Sequence, residues 1–335
     1  MHPFQWANAS TLEEAVKLLD AVGGKVDEGT NPDEMPRPMG GGQDLLTTMK
    51  DYLERPPRVV NLKTIKGLSG IGPGQNGGLR IGATTTLTEI EEHPEIRAKY
   101  PGLAEAAAAI ATPQIRNVGT VGGNLCQRPR CWYFRLENVV CRKKGGNVCY
   151  AIQGNNKYNA IFDTGPSKIV HPSDLAPMLV ALGATALVQG TEGQRTIPLE
   201  EFFITPADNV RRENVLKPAD VIAEVQIPAP TGKSTYLKFK ERESLDFAVA
   251  SAAVVADFNP DKTVKAARIV LGGVASIPWH VPDAEKAIVG KKLDDATLTA
   301  CANAALDGAT PLSLNAYKVP LAQALLKRAL TRLNT

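Results

Sequence analysis

Two glycine-rich segments limit the folds open to this chain. The first, Met39-Gly40-Gly41-Gly42-Gln43-Asp44-Leu45, leads into a stretch at 45–53 that reads as a helix. The second, Asn117-Val118-Gly119-Thr120-Val121-Gly122-Gly123-Asn124-Leu125, lies about 80 residues further on. A glycine turn before a helix lets the backbone approach an anion closely. No Cβ stands in the way, and the free N–H groups point outward. The second segment adds a hydroxyl and an amide side chain. Two such segments could grip both phosphates of a dinucleotide from opposite sides. The spacing is not G-x-G-x-x-G, and no obvious strand precedes the first segment, which disfavours the Rossmann fold. Asp44 could cap the helix or bond a ribose hydroxyl. An ordinary loop turn is the other reading of the first segment taken alone.

Hydrophobic periodicity places helices at 11–21, 45–53, 89–92, 103–110 and 175–182, and strands at 58–62, 79–83 and 186–188. A polar, Pro-rich stretch runs over 27–38. From Val221 the texture turns to strands, at 221–227, 234–239, 248–258 and 264–271, and helices return at 283–288, 296–306 and 321–333. Pro228-Ala229-Pro230-Thr231-Gly232 is the best boundary candidate. A length of 335 residues suits two or three domains. With 43% hydrophobic and 22% charged residues, collagen-like, coiled-coil and disordered chains are excluded. A net charge of +3 argues against nucleic-acid binding by bulk charge. No apolar run approaches the ~18 residues of a membrane span. The N-terminal Met1-His2-Pro3-Phe4-Gln5-Trp6 has neither a basic nor an apolar signal region.

Four of the five cysteines, Cys126, Cys131, Cys141 and Cys149, fall within 24 residues, spaced C-x4-C-x9-C-x7-C. Cys301 stands alone in an Ala-rich stretch and reads as a buried helix residue. Zinc usually takes paired C-x2–4-C hooks, and these gaps are looser. An iron–sulfur cubane tolerates longer gaps, because its corners face different directions. Iron–sulfur, zinc and structural thiols all remain open on spacing. Arg128, Arg130, Arg135, Arg142, Lys143 and Lys144 surround the cysteines. They could offset a cluster's negative charge or simply be solvated. With Trp132, Tyr133 and Phe134 they could also be read as a nucleic-acid patch, a reading that the small net charge and the lack of a known motif disfavour. The four histidines, His2, His93, His171 and His280, do not cluster in sequence and read as structural.

Gly41 to Leu45 and Arg116 to Asn124 resemble the two FAD-pyrophosphate segments of the FAD (medium) subunit of molybdenum hydroxylases. That family includes xanthine dehydrogenase, carbon monoxide dehydrogenase and aldehyde oxidoreductase. Arg80-Ile81-Gly82-Ala83-Thr84-Thr85 is similar to a third marker, and His171-Pro172-Ser173-Asp174-Leu175-Ala176-Pro177 to its S-D-L-x-P segment. Tyr236 to Arg242 and Leu271 to Ala275 resemble the family's C-terminal domain. The resemblance implies an α+β chain with a two-subdomain FAD-binding fold of the vanillyl-alcohol-oxidase (PCMH) type. The FAD-binding domain would span 1–227, with subdomains of about 1–60 and 61–227. A C-terminal α+β flavoprotein domain would span 228–335. By motif position, Met39, Gly40, Gly41, Gly42, Gln43, Asp44 and Leu45 would hold the pyrophosphate, with Asn117, Thr120, Gly123 and Asn124 in the second segment. Asp174 would bond the ribityl chain or flavin, Ile222 would pack near the ring, and Lys238 would lie near its polar edge. On residue type alone, Asp174 could instead cap a helix and Lys238 could be a solvated strand charge.

Some family members, similar to 4-hydroxybenzoyl-CoA reductase and a bacterial aldehyde oxidoreductase, carry an insert here that holds a 4Fe–4S cluster. Residues 126–165 resemble it, with Cys126, Cys131, Cys141 and Cys149 as the implied ligands. Related inserts take the fourth cysteine further downstream, at positions matching Tyr158 or Ser167 here. The implied partners are a large molybdenum-cofactor subunit and a small 2Fe–2S subunit, with no nucleic acid and no membrane span. The chain would accept electrons from the 2Fe–2S clusters through FAD and pass them to an external acceptor. A self-sufficient FAD oxidoreductase of the same fold and a zinc-bearing binding module are the other readings. A cytoplasmic location is expected, although a partner with a twin-arginine signal could carry the chain to the periplasm.

Overall fold

The fold is built on three separate sheets, seen in a computed structural model that describes residues 1–20 and 31–334. β1 (Gln5–Asn8), β2 (Arg37–Met39) and β3 (Arg58–Asn61) form a parallel sheet with β3 in the centre. The helix Leu12–Leu19 follows β1 and buries Ala15, Val16 and Leu19, a spacing that matches one face of a helix. Thr11 caps it, accepting from the Glu14 N–H at 3.1 Å. Ala21, the last residue of the expected helix, and residues 27–30 of the Pro-rich stretch lie outside the described residues. The expectation of no strand before the first glycine segment is corrected here, because β2 runs straight into it. β2 is an edge strand, where Pro38 is tolerated because it has no N–H to contribute to a ladder.

The second sheet is antiparallel. It contains β4 (Ile71–Pro73), β5 (Leu79–Gly82), β6 (Thr185–Gly190), β7 (Gly193–Pro198) and β8 (Val221–Ile227), in the order β4-β5-β8-β6-β7. Helices Leu87–Glu92, Pro101–Ala108 and Leu175–Ala181 cover it, and the helix Leu12–Leu19 joins the same core. The Ala-rich helix 101–108 allows close packing. Gly102 and Ala106 lie fully against neighbours, and the Gly102 N–H donates to Ser234 Oγ at 3.1 Å.

The third sheet is a meander of β9 (Lys233–Phe239), β10 (Ala250–Phe258), β11 (Val264–Gly272) and β12 (Trp279–His280). Helices Pro282–Ile288, Asp295–Ala305 and Lys318–Leu333 complete a second core around Ile269, Leu271, Leu326 and Leu330. Cys301 is buried in that core, and burial pushes its thiol up to about 12. Among the described residues, no helix is long and apolar enough to cross a membrane.

Residues 126–165 contain only short elements, the helix Trp132–Arg135 and a 3-10 turn at Arg142–Lys144. A lysine helps to pin their far end to the third sheet. Lys318 is completely buried, and its Nζ donates to the carbonyls of Tyr158 at 2.9 Å, Asn159 at 3.0 Å and Gly273 at 2.7 Å. Replacing Lys318 with Met would leave these carbonyls without their donor, at a cost of about 3 kcal/mol. The expected result is a lower thermal midpoint for Lys318→Met, measured by calorimetry on the purified protein.

Candidate cofactor-binding cleft

The two glycine segments meet backbone to backbone. β2 ends at Met39, and the chain turns through Gly40-Gly41-Gly42 into the helix Leu45–Lys50. A Cβ on Gly41 would stand 2.1 Å from the Val118 carbonyl oxygen and 2.9 Å from the Gly119 Cα. Gly42 adopts φ +71°, the left-handed region that glycine enters without strain. In the second segment two short helices, Pro113–Arg116 and Val121–Leu125, flank the turn. Thr120 caps the latter, accepting from the Gly123 N–H at 3.3 Å. The backbone N–H groups of residues 40–45 donate to no described acceptor. A run of unpaired donors in a turn is an anion-binding arrangement.

These segments line a cleft of about 630 Å³, within the range of cofactor pockets. Met39, Gly40, Gly41, Gly42, Gln43, Asp44, Leu45, Thr120, Gly123 and Asn124 border it, and so do Asp174 and Lys238. Asn117 and Ile222 lie off it. The Asn117 amide oxygen accepts from the Thr88 hydroxyl at 2.7 Å, which ties the second segment to helix 87–92. Ile222 sits on the central strand of the five-stranded sheet, where it is covered by the larger core.

Asp174 does not cap the helix that follows it. Ser173 does, its Oγ accepting from the Ala176 N–H at 3.0 Å and donating to Asn124 Oδ1 at 2.5 Å. The Asp174 carboxylate instead accepts from Tyr236 OH at 2.6 Å and Lys238 Nζ at 2.8 Å. Lys238 is therefore no solvated charge; it is buried, and it also donates to the Ala109 carbonyl at 3.0 Å. Burial, then the Asp174 charge, raise the Tyr236 phenol well above its usual range, so it stays a donor. Tyr236 was not singled out from sequence, although alternation along β9 puts it on the same face as Lys238. Burial lowers His171 to about 4, and this neutral ring accepts the Ser173 N–H on Nδ1 at 3.3 Å.

Asp44 is taken by the insert, so neither the cap nor a free ribose partner describes it. Its Oδ2 accepts from the Arg128 N–H at 2.7 Å, and its Oδ1 from Arg130 and, at 2.9 Å, from Arg135. Burial alone would raise its pKa, but the two guanidinium groups hold it below the usual range. Beneath lies a buried charge network that sequence reading missed. Arg128 pairs with Glu54 at 2.8 Å, Asp33 at 3.0 Å and Glu213 at 3.0 Å. Lys143 pairs with Glu213 at 2.7 Å, and Arg37 with Glu54 at 2.6 Å. The insert's basic residues Arg128, Arg130, Arg135 and Lys143 are thus matched to carboxylates. From the loop joining β9 and β10, Leu245, Asp246 and Phe247 reach the cleft, and Arg130 stacks over the Phe247 ring at 4.7 Å.

The cysteines do not form one set. Cys131, Cys141 and Cys149 line a second, small cavity together with Ser167. Cys126 is elsewhere: it ends the helix 121–125 and lines the large cleft, and burial pushes its thiol up to about 12. The spacing counted residues but could not show that the chain between Cys126 and Cys131 turns away, carried by Arg128 into the charge network. The small cavity measures about 10 Å³, room for about one water. Among the described residues, no group of three or more His, Cys, Asp or Glu side chains is placed to hold a metal ion. Thiols are soft donors of the kind that iron and zinc take, but these three are not arranged as a ligand set. A four-cysteine site that includes Cys126 does not fit.

Residues 2–230 match the protein family described as the FAD binding domain in molybdopterin dehydrogenase. Residues 234–333 match the CO dehydrogenase flavoprotein C-terminal domain. The chain belongs to the FAD-binding subunits of the molybdenum hydroxylases. It is 35% identical over 293 residues to the aldehyde oxidoreductase FAD-binding subunit PaoB of Escherichia coli, a match that covers 85% of this chain and 87% of that one. It is 28% identical to the nicotinate dehydrogenase FAD-subunit of Eubacterium barkeri, covering 90% of this chain and 84% of that one. Among solved structures it is similar to carbon monoxide dehydrogenase from Hydrogenophaga pseudoflava, with TM-score 0.76, 26% identity, and 99% and 98% of the two chains covered. The molybdenum hydroxylase fold, an FAD-binding domain followed by the C-terminal flavoprotein domain, is therefore the fold of this chain. The cleft's unpaired N–H groups and glycine contact suit the pyrophosphate of FAD.

Two outcomes follow for this FAD-binding subunit. Gly41→Ala forces the two segments apart against backbone atoms, at a cost of about 2 kcal/mol; flavin per protein, measured by absorbance after purification, is expected to fall. Glu54 is the pH reporter. Burial would raise its pKa, but Arg37 and Arg128 bring it from 4.5 down to about 2. Its pairing therefore stabilises fully above pH 4.5 and is lost as pH falls towards 2. In acid unfolding followed by circular dichroism, Glu54→Gln should start less stable at neutral pH and show a shallower decline over that interval.

Proposed function

We propose that this chain is the electron-transfer flavoprotein subunit of a molybdenum hydroxylase complex of the aldehyde oxidoreductase or xanthine dehydrogenase type. A large subunit bearing the molybdenum cofactor would oxidise the substrate. A small subunit with two 2Fe–2S clusters would pass the electrons here, and an external acceptor would take them away. The observation that carries the reading is the cleft itself, where the two glycine segments touch and present a run of unpaired N–H groups. The relationship to an aldehyde oxidoreductase subunit favours the aldehyde type. The charged side chains lining the cleft largely pair with one another: Asp44 with Arg130 and Arg135, Asp174 with Lys238, and Glu54 with Arg37 and Arg128. That arrangement supports holding and tuning a cofactor more than substrate chemistry by this chain.

In this reading the division of labour follows the elements. Residues 1–227 form the FAD-binding domain, with subdomains of about 1–60 and 61–227, and 228–335 form the C-terminal domain. Residues 39–45 take the pyrophosphate through backbone N–H groups, and Thr120, Gly123 and Asn124 close the other side. FAD supplies the junction between one-electron and two-electron carriers. Lys238 holds a positive charge at the cleft wall, and Asp174 orients its ammonium. Tyr236 keeps Asp174 from turning and, as a neutral phenol, gives it a hydrogen bond without adding charge. The 126–165 insert is read as an iron–sulfur site, for which Cys131, Cys141 and Cys149 would have to draw together as thiolate ligands.

The test is a visible spectrum of the anaerobically purified complex, with flavin, iron and molybdenum quantified. Flavin bands, molybdenum, and iron beyond that of the small subunit are expected. A complex without flavin would overturn the assignment. Lys238→Met removes a cation and leaves Asp174 unpaired, and both changes disfavour an anionic reduced flavin. Its midpoint potential, measured by spectroelectrochemistry, should drop by on the order of 30 mV.

A further inference from the structure

We propose that Arg130, carried on the insert, binds the diphosphate of FAD and supplies a charge that the two glycine turns lack. The proposal rests on placing that diphosphate at residues 39–45. Asp44 lines the cleft together with the first turn, and a carboxylate at an anion-binding turn repels a diphosphate. Two guanidinium groups, those of Arg130 and Arg135, meet its Oδ1. Among the described residues, neither arginine pairs with any other carboxylate. The three side chains therefore carry one positive charge in excess, next to a turn whose N–H groups are unpaired.

The partners show which arginine is free to spend that charge. Arg135 is tied to backbone as well, donating to the carbonyls of Pro129 at 2.8 Å and Arg128 at 3.1 Å. Arg130 meets side chains: Asp44, Gln127 Oε1 at 3.0 Å, and the face of Phe247, which sets the plane of the guanidinium. Its side chain is the more open of the two, 25% exposed against 15%. Its Nε is buried with no partner, as is Arg135 Nη1. Burial, against the pull of Asp44 and with the push of Arg135, holds the Arg130 pKa below its usual range, as for a cation short of negative charge. A guanidinium presents a planar fork of donors that matches phosphate oxygens.

The test uses the whole complex, stripped of flavin and titrated with FAD by fluorescence at low and high salt. Arg130→Gln should weaken FAD binding about 10-fold. Arg130→Lys, which keeps the charge and loses the fork, should fall between it and wild type. Added salt should weaken wild type more than Arg130→Gln, because wild type has one more charge facing the diphosphate. Asp44→Asn and the double variant Asp44→Asn/Arg130→Gln separate a direct contact from mere neutralisation of Asp44. The double variant is expected to bind FAD more weakly than Asp44→Asn. Equal binding by those two would overturn the proposal, and so would wild-type affinity and salt dependence in Arg130→Gln. Either result with Gly41→Ala still weakened would leave the diphosphate at residues 39–45. Wild-type affinity in Gly41→Ala would overturn that placement and this proposal together.

Discussion

A single buried guanidinium ties together the parts that make the cleft. Arg128 leaves the second glycine segment, enters the insert, and meets Asp33 and Glu54 from the first part of the chain and Glu213 from a distant loop. Its own backbone N–H holds Asp44 beside the first glycine turn. Removing Glu213 would leave the buried Lys143 ammonium without its carboxylate, the situation in which breaking an ion pair is most damaging. The network adds little by being charged; a well-packed apolar core could hold as firmly. It does fix one register between three segments that share no sheet, and that register aligns the two glycine turns.

Lys238, Asp174 and Tyr236 repeat the pattern at another part of the cleft. A cation placed alone in a low-dielectric cleft would lower its own pKa or draw in water. Paired with Asp174 it stays in place, and the Tyr236 phenol takes the second carboxylate oxygen. That wall is thus polar but already satisfied, whereas the backbone donors of residues 40–45 are short of partners.

Most elements could be read from the sequence because they follow from short-range periodicity, as in the helix Leu12–Leu19 and the strands Val221–Ile227 and Val264–Gly272. β2 could not, since Pro38 speaks against a strand everywhere except at a sheet edge, and edge position is decided by the rest of the fold. The glycine turns were legible because their requirement is local. The charge network was not, because Arg128 meets partners 74 and 95 residues away. Asp174 and Lys238 were reached through the family resemblance, and composition alone would have left them a helix cap and a surface charge. Spacing also misjudged Cys126: it counts residues between thiols and is blind to the direction in which the chain carries them.

The four-residue helix Trp132–Arg135 belongs to both cavities. It begins beside Cys131 and ends at Arg135, which grips Asp44 at the head of the helix that follows the first glycine turn. A displacement at one end is a displacement at the other, since so short a helix has no turn to spare for absorbing it. That single turn is a direct physical link between the two cavities. Any coupling carried by that link is reciprocal by thermodynamic linkage: whatever free energy a change at one end confers on the other is returned in equal measure. A substitution in the small cavity would then be felt at the flavin cleft to the same degree as one in the cleft is felt at the thiols.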